Sequence, residues 1–180
     1  TKDDLKEIIK VSHARNIKVT GHLCSITYRE ATELGIDNLE HSFMASTDFV
    51  SNKKENDCVF SEPSLTELNE NDPKLIELMR FLIDKNVALT YTPTVFEPFT
   101  DREVIPGGGS VALAPYLLEQ MQASYNQSIN TKSDSLSLIS FKKEMKRVVK
   151  FHSLGGKITV GTDPTGSGKT IAGYSNQRLI

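Results

Sequence analysis

Three side chains that can bind a divalent metal each follow a short apolar run in the sequence. His22 comes after IKVTG, His41 after IDNLE, and Asp163 after ITVGT. Two imidazoles and a carboxylate suit zinc, and suit iron, manganese or nickel less well. Such an ion lowers the pKa of a bound water and polarises a carbonyl, and a nearby carboxylate can carry the proton to a leaving group. We therefore predict a metal site made by His22, His41 and Asp163, in which Asp163 is also catalytic.

Each of these residues also has a structural explanation. A single histidine at a strand end is more often a hydrogen-bonding partner than a ligand, and Asp163 precedes a proline, so it could cap a turn. Their occurrence together after three predicted strands favours the metal site. His13 and His152 lie in helical patterns, and we expect both at the surface and outside the site.

The apolar runs alternate with helical patterns, which predicts parallel strands joined by right-handed crossovers. Helical patterns cover residues 3–15, 27–34, 73–85, 111–127 and 136–153, and strand patterns cover 17–20, 36–39, 87–91 and 158–161. Because the carboxyl ends of parallel strands lie at one edge, the three side chains can converge there. Four such strands fit an α/β fold that is either an open doubly wound sheet or half of an eight-stranded barrel.

Local signals mark the ends of the second helix and two long insertions. Thr27 and Glu30 have the spacing of a capping box, and Gly35 is suited to end the helix. The polar segments 42–72 and 93–135 both follow strands, at the edge that carries the ligand site in either fold. We expect substrate specificity to reside in these insertions, which we interpret as loops, although neither contains a diagnostic residue.

Several other polar residues have weaker interpretations. Tyr28 and Arg29 either line a pocket or begin a solvated helix, and Glu40 is expected to form a structural ion pair. A basic cluster in the last long helix is expected to be a solvated face, because no aromatic platform for bases accompanies it. This cluster comprises Lys142, Lys143, Lys146, Arg147 and Lys150.

The stretch ITVGTDPTGSGKT, residues 158–170, is similar to a phosphate-binding loop. The pattern requires glycine five residues before Gly168, and Asp163 stands there instead. A carboxylate facing phosphate oxygens is unfavourable, so nucleotide binding is the least favoured of our hypotheses.

Composition excludes several classes of protein. The 180 residues include 38% hydrophobic and 24% charged residues with a net charge of -2, as expected for one soluble domain that does not bind nucleic acid or an anionic membrane. Cys24 and Cys58 form no CxxC pair, and we expect both to be free thiols. A cytoplasmic location is slightly favoured. Because the chain opens at Thr1 within a helical pattern and ends at Ile180 as another begins, we expect a fragment or a trimmed chain.

The stretches VTGHLCSITYREATELGIDNLEHSF and ITVGTDPTG resemble the amidohydrolase superfamily, and most of all its imidazolonepropionase-like and prolidase-like branch. The resemblance extends over nearly the whole chain. It implies a distorted eight-stranded α/β barrel, of which this chain covers strands five to eight. His22 would be the fifth-strand ligand, His41 the sixth-strand ligand, and Asp163 the eighth-strand aspartate that binds metal and moves the proton. The implied reaction is attack of metal-activated water on an amide or related C–N bond of a small-molecule amide, dipeptide or cyclic amide.

The chain also departs from this family. The family's HxH pair and its fourth-strand lysine or glutamate are absent and would lie upstream of Thr1, and the small sandwich domain is absent as well. The number of metal ions, one or two, therefore stays open. The chain alone is expected to bind metal loosely, to be weakly active or inactive, and to self-associate through exposed sheet edges. The alternative from another class is a non-catalytic binding module on a half-barrel.

Overall fold

The computed structural model describes residues 1–96, 111, 113–130 and 135–163. The chain divides into two units. The first unit consists of Thr1–Tyr91 and Lys143–Thr159, and the second of Thr92–Lys142 and Val160–Ile180. Residues 97–110 and 131–134, which belong to the predicted second insertion, and residues 164–170 of the phosphate-loop-like stretch lie outside the described residues.

Helices and strands alternate along the described part of the chain as the sequence predicts. The helices are α1 (Lys2–His13), α2 (Tyr28–Leu34), α3 (Glu62–Glu67), α4 (Pro73–Asp84), α5 (Pro93–Phe96), α6 (Pro115–Asn130) and α7 (Ser135–Ser153). The strands are β1 (Thr20–Gly21), β2 (Asn38–Glu40), β3 (Ala88–Tyr91) and β4 (Ile158–Val160). In the part of the chain that the structure describes, no helix is both long and apolar enough to cross a membrane.

The strands form one parallel sheet in the order β1-β2-β3-β4, which confirms the predicted α/β class. The register pairs Thr20 with Asn38 and Leu39 with Leu89. Each strand therefore lies beside the strand that precedes it in the chain.

The two faces of the sheet differ in chemistry. A hydrogen-bonded row, called the polar row below, crosses one face and consists of Thr20, Asn38, Glu40, Thr90 and Thr159. Asn38 Nδ2 lies at its centre and donates to Thr20 Oγ1 and Thr90 Oγ1, each at 2.7 Å. The alternate residues Leu39 and Leu89 point the other way, because successive side chains of a strand point to opposite faces.

The opposite face packs against helices and forms the core. Leu39 and Leu89 are buried there with apolar residues of α1, α2 and α4. These are Leu5, Ile9, Tyr28, Ala31, Leu75, Leu78, Met79 and Leu82. Tyr28 is fully buried, so it neither lines an open pocket nor begins a solvated turn as the sequence suggested.

Helix α2 begins and ends where the sequence predicts. Thr27 Oγ1 accepts from the Glu30 N–H at 3.1 Å, and the Glu30 carboxylate accepts from the Thr27 N–H at 3.0 Å. Gly35 follows the helix with φ +97°, a left-handed conformation that glycine adopts without a Cβ clash. Short-range chemistry thus determines both ends of this helix.

Three structural expectations are wrong. The segment 42–72 is not irregular throughout, because it contains α3, whose Leu65 is buried. Glu40 accepts hydrogen bonds from Thr20 and Asn38 and forms no ion pair within the described ranges. Cys24 and Cys58 are joined in a disulfide bond and are therefore not free thiols.

Asp37 joins the first helix to the first two strands. Its carboxylate accepts from Val19 N–H at 2.8 Å and Lys18 Nζ at 3.0 Å, and lies 2.8 Å from His13 Nε2. Burial would raise the pKa of this carboxyl, but these three partners outweigh it and lower the pKa from 3.8 to about 2.

We predict that Asp37→Asn removes a pH-dependent part of the stability. Because the folded-state pKa of Asp37 is depressed, its contribution is present above pH 3.8 and is lost as the pH falls towards 2. Urea unfolding between about pH 5 and pH 2 should show the native chain losing about 2 kcal/mol that the variant does not lose. Asp57→Asn, the same change at an exposed position, serves as the control. Parallel pH profiles of the native chain and Asp37→Asn would contradict the prediction.

Gly156 lies directly against the buried ring of Phe151. A Cβ at position 156 would lie 2.3 Å from Phe151 Cε1, far inside van der Waals contact. We predict that Gly156→Ala costs about 1–3 kcal/mol of stability through overpacking. Phe151→Leu should relieve part of this cost. In thermal unfolding, the double variant should therefore lose less stability than the sum of the losses in the two single variants. Strict additivity would contradict the prediction.

Candidate functional site

His22 and His41 are in contact at the carboxyl ends of β1 and β2. Their ring centroids are 4.5 Å apart, and the ring planes meet edge to face at 71°. His22 is exposed, whereas His41 is only 6% exposed. The structure thus brings together two of the three residues that the sequence selected, although they are 19 positions apart in the chain.

The backbone at His41 leaves the extended conformation abruptly. His41 has φ 65° and Ser42 has φ 51°, so two consecutive non-glycine residues are left-handed. Such residues are uncommon. Each costs on the order of 1–3 kcal/mol and persists only where its surroundings enforce the conformation. This turn therefore requires specific contacts to hold it.

Hydrogen bonds secure the backbone on both sides of His41. Tyr28 Oη donates to the Glu40 carbonyl at 2.8 Å, and Ser42 N–H donates to the Thr90 carbonyl at 2.9 Å. Phe43 N–H donates to Glu144 Oε1 at 2.8 Å. Three elements, α2, β3 and α7, thus contribute to the conformation of the chain next to this imidazole.

Glu144 and Arg147 form a buried ion pair on α7. Arg147 Nη1 donates to Glu144 Oε2 at 3.2 Å, and the two side chains are 0% and 3% exposed for Arg147 and Glu144, respectively. Burial raises the pKa of the Glu144 carboxyl, and Arg147 and the Phe43 N–H oppose that rise. Arg147 is therefore not part of a solvated face, and that expectation is wrong.

A signal for the burial of Glu144 was present in the sequence. Glu144 lies four residues before Val148 and seven before Phe151, both of which are buried. This spacing places Glu144 on the apolar face of α7. The local density of lysines concealed the pattern.

The segment 42–72 is fastened to the chain that follows His22. Cys24 is joined to Cys58 by the disulfide, and Lys53 Nζ donates to the Ser25 carbonyl at 2.5 Å. Asp48 accepts from Tyr28 N–H at 2.8 Å at the beginning of α2. The insertion is therefore an ordered part of the surroundings of the two histidines.

The same insertion forms an open cavity of about 570 Å³. Its lining combines Phe49, Val50, Phe60 and Leu68 with Lys74, and neither His22 nor His41 contributes to it. The first unit thus has a concave surface separate from the imidazole pair.

Asp163 follows β4 by three residues and belongs to the second unit. It is exposed and has φ 43°, a third left-handed non-glycine residue among the candidate residues and their neighbours. Within residues 1–96, 111, 113–130 and 135–163, no three His, Cys, Asp or Glu side chains are grouped so that they could hold a metal ion. Among the candidate residues, His22 and His41 are the two whose rings are in contact.

We predict that removing the disulfide destabilises the chain strongly. Cys24 and Cys58 are 34 residues apart, and closing a loop of this size is worth about 3–4 kcal/mol. The double variant Cys24→Ser, Cys58→Ser should lose this amount in urea unfolding, and the reduced native chain should behave like it. Rapid alkylation of both cysteines in the unreduced, folded chain would refute the bond itself.

Comparisons with known proteins give little further information. No family model matches the chain, and no curated protein matches it. A solved structure of an uncharacterized protein aligns with 91% of this chain at 11% sequence identity and a TM-score of 0.43. The chain spans 28% of that protein's length. A similarity this low carries no conclusion about fold or function.

Proposed function

We propose that the chain is part of a metal-dependent hydrolase of amide or other C–N bonds. The observation that carries this proposal is the contact between His22 and His41 at the ends of adjacent parallel strands. In this proposal both histidines are metal ligands. Asp163 joins them as ligand and proton carrier on the strength of its sequence position, directly after the last strand.

The imidazole pair fits a borderline divalent ion. Zinc lies about 2.0–2.1 Å from each histidine nitrogen, and two rings in edge contact can turn a nitrogen of each towards one ion. Two nitrogens are half of a four-coordinate site. The proposal assigns a third position to Asp163 and leaves the rest to residues outside this chain and to water.

The order of the strands supports half of a barrel over a doubly wound sheet. In a doubly wound sheet the strand order reverses at the ligand site, whereas consecutive strands of a barrel are neighbours throughout. The order β1-β2-β3-β4 is the consecutive one. We therefore propose that these strands are four successive strands of a TIM-like barrel, numbers five to eight.

The proposed residues have separate roles. A divalent ion, when bound, lowers the pKa of a water and polarises a substrate carbonyl. His22 and His41 would hold the ion, and the Asp163 carboxylate would take up a proton and supply one to a leaving nitrogen. The proposed substrates are small-molecule amides, dipeptides or cyclic amides. A cytoplasmic location is not part of the proposal, because structural disulfides persist mainly in oxidising compartments.

The cavity in segment 42–72 favours a second candidate, a non-catalytic binding module. It offers aromatic and aliphatic side chains beside the ammonium group of Lys74 and the carboxylates of Asp48 and Glu67, and it does not include the histidines. In that case ligand binding would be independent of metal. A variant that no longer binds metal but still binds a ligand in this cavity would distinguish the two functions.

The metal itself tests the hydrolase proposal. We expect the chain to bind Co²⁺, used as a spectroscopic substitute for zinc, and to bind it at least about tenfold more weakly after His22→Ala or His41→Asn. Asparagine suits position 41 because it tolerates a left-handed backbone. His152→Ala, at an exposed position on α7, should bind Co²⁺ as the native chain does.

Visible absorption of the bound Co²⁺ gives its affinity, and circular dichroism verifies that each variant is folded. Equal affinity in the native chain and in a chain lacking both His22 and His41 would contradict the proposal.

A further inference from the structure

We infer that Glu144 is a positioning residue for His41, held in place by Arg147, an inference that rests on the proposed metal-binding role of His41. Among the hydrogen bonds and ion pairs of the described residues, those of Glu144 are with Phe43 and Arg147 and not with His22 or His41. Glu144 acts through the backbone N–H of Phe43, two residues beyond His41.

The turn after β2 has an unfavourable backbone conformation that a hydrogen bond to Glu144 can stabilise. His41 and Ser42 are both left-handed, a conformation that a free chain seldom adopts. Phe43 N–H is the next donor along the chain, and its partner is a carboxylate, which makes the hydrogen bond stronger than one between neutral groups. Glu144 lies 101 positions away in the sequence, so this contact joins the turn to a distant helix.

Arg147 in turn fixes Glu144. One guanidinium nitrogen donates to the free oxygen of the Glu144 carboxylate at 3.2 Å. The other donates to the carbonyls of Leu65 and Leu68, the second at 2.9 Å. The pair therefore ties α7 and the end of α3 to the turn at His41.

Stability alone does not account for this pair. Burying an ion pair costs desolvation, and apolar residues of similar volume are often as stable or more stable. Arg147 Nε is also buried without a hydrogen-bond partner among the residues described. The pair is poorly optimised for stability, yet it is bonded to the backbone beside a candidate ligand. Control of the geometry at His41 accounts for both features.

Two double variants separate geometry from stability. Glu144→Gln with Arg147→Met and Glu144→Leu with Arg147→Met both remove the two charges together, and both keep roughly the native volume. They differ in one respect, since Gln keeps an oxygen that can accept from Phe43 N–H and Leu does not. Any difference between them therefore reports on that hydrogen bond.

Two measurements follow His41 in these variants. The first is the nuclear Overhauser effect between carbon-bound ring protons of His22 and His41, which needs no metal. The second is the affinity for Co²⁺ alone. We expect the Gln variant to keep the ring contact and an affinity within about threefold of the native chain, and the Leu variant to lose the contact and at least tenfold in affinity, the range typical of groups that orient metal ligands.

The outcomes are distinguishable. Equal ring contacts in the Gln and Leu variants, or loss of the contact in both, would overturn the positioning role. If the native chain binds no Co²⁺, the proposed function fails, while the ring contact still decides whether Glu144 positions His41. If the Leu variant does not fold, Glu144→Gln alone decides. In this variant an NH2 group replaces one of the two carboxylate oxygens, so Phe43 N–H and Arg147 Nη1 cannot both keep their native bonds. A native ring contact after loss of exchange protection at the Phe43 amide, or a lost ring contact with that amide still protected, would overturn the inference.

Discussion

The hydrogen bond from Phe43 N–H to the Glu144 carboxylate connects the two parts of the chain that form the first unit. Glu144 comes from the last long helix and Phe43 from the turn after β2, and Phe43 also packs edge to face against Phe151 of the same helix. This contact acts together with the bond between Ser42 and Thr90, the bond from Met44 N–H to the His41 carbonyl and the fixed carbonyl of Glu40 in holding the left-handed turn. The position of His41 is therefore a property of tertiary structure, although its place at a strand end is a property of sequence.

The parallel strands and the polar row form the second constraint on the position of His41. Asn38 donates to both neighbouring strands, so β1 and β3 are linked to β2 by side chains as well as by backbone. Asn38 Oδ1 is buried without a partner among the described residues, so this row is not fully satisfied by its own members. A face built of threonine, asparagine and glutamate cannot serve as an apolar core, and this leaves the helix-covered face as the only core of the sheet within the described structure.

What could be predicted from the sequence was governed by short-range rules. The capping box at Thr27, the glycine stop at Gly35 and the alternation of strands and helices all depend on residues within one or two turns. The neighbouring positions of His22 and His41 also follow, because parallel topology brings strand ends together. The disulfide and the burial of Arg147 could not be derived in this way, since each depends on which distant segment lies opposite. Predicting the bond of Cys24 requires the course of segment 42–72. Predicting the burial of Arg147 requires the position of the carbonyls at the end of α3.

The sheet register explains why the turn at His41 matters for the pair of imidazoles. Gly21 is level with Leu39, so His22 is level with Glu40, and His41 would lie one residue further along an undistorted strand. In that case its side chain would also alternate in direction relative to Glu40. The chain leaves the strand at His41 with φ 65° instead, and the rings meet at 4.5 Å. A left-handed residue at this point thus accompanies a close contact that register and alternation alone do not provide, and the cost of the turn falls where the candidate ligand is placed.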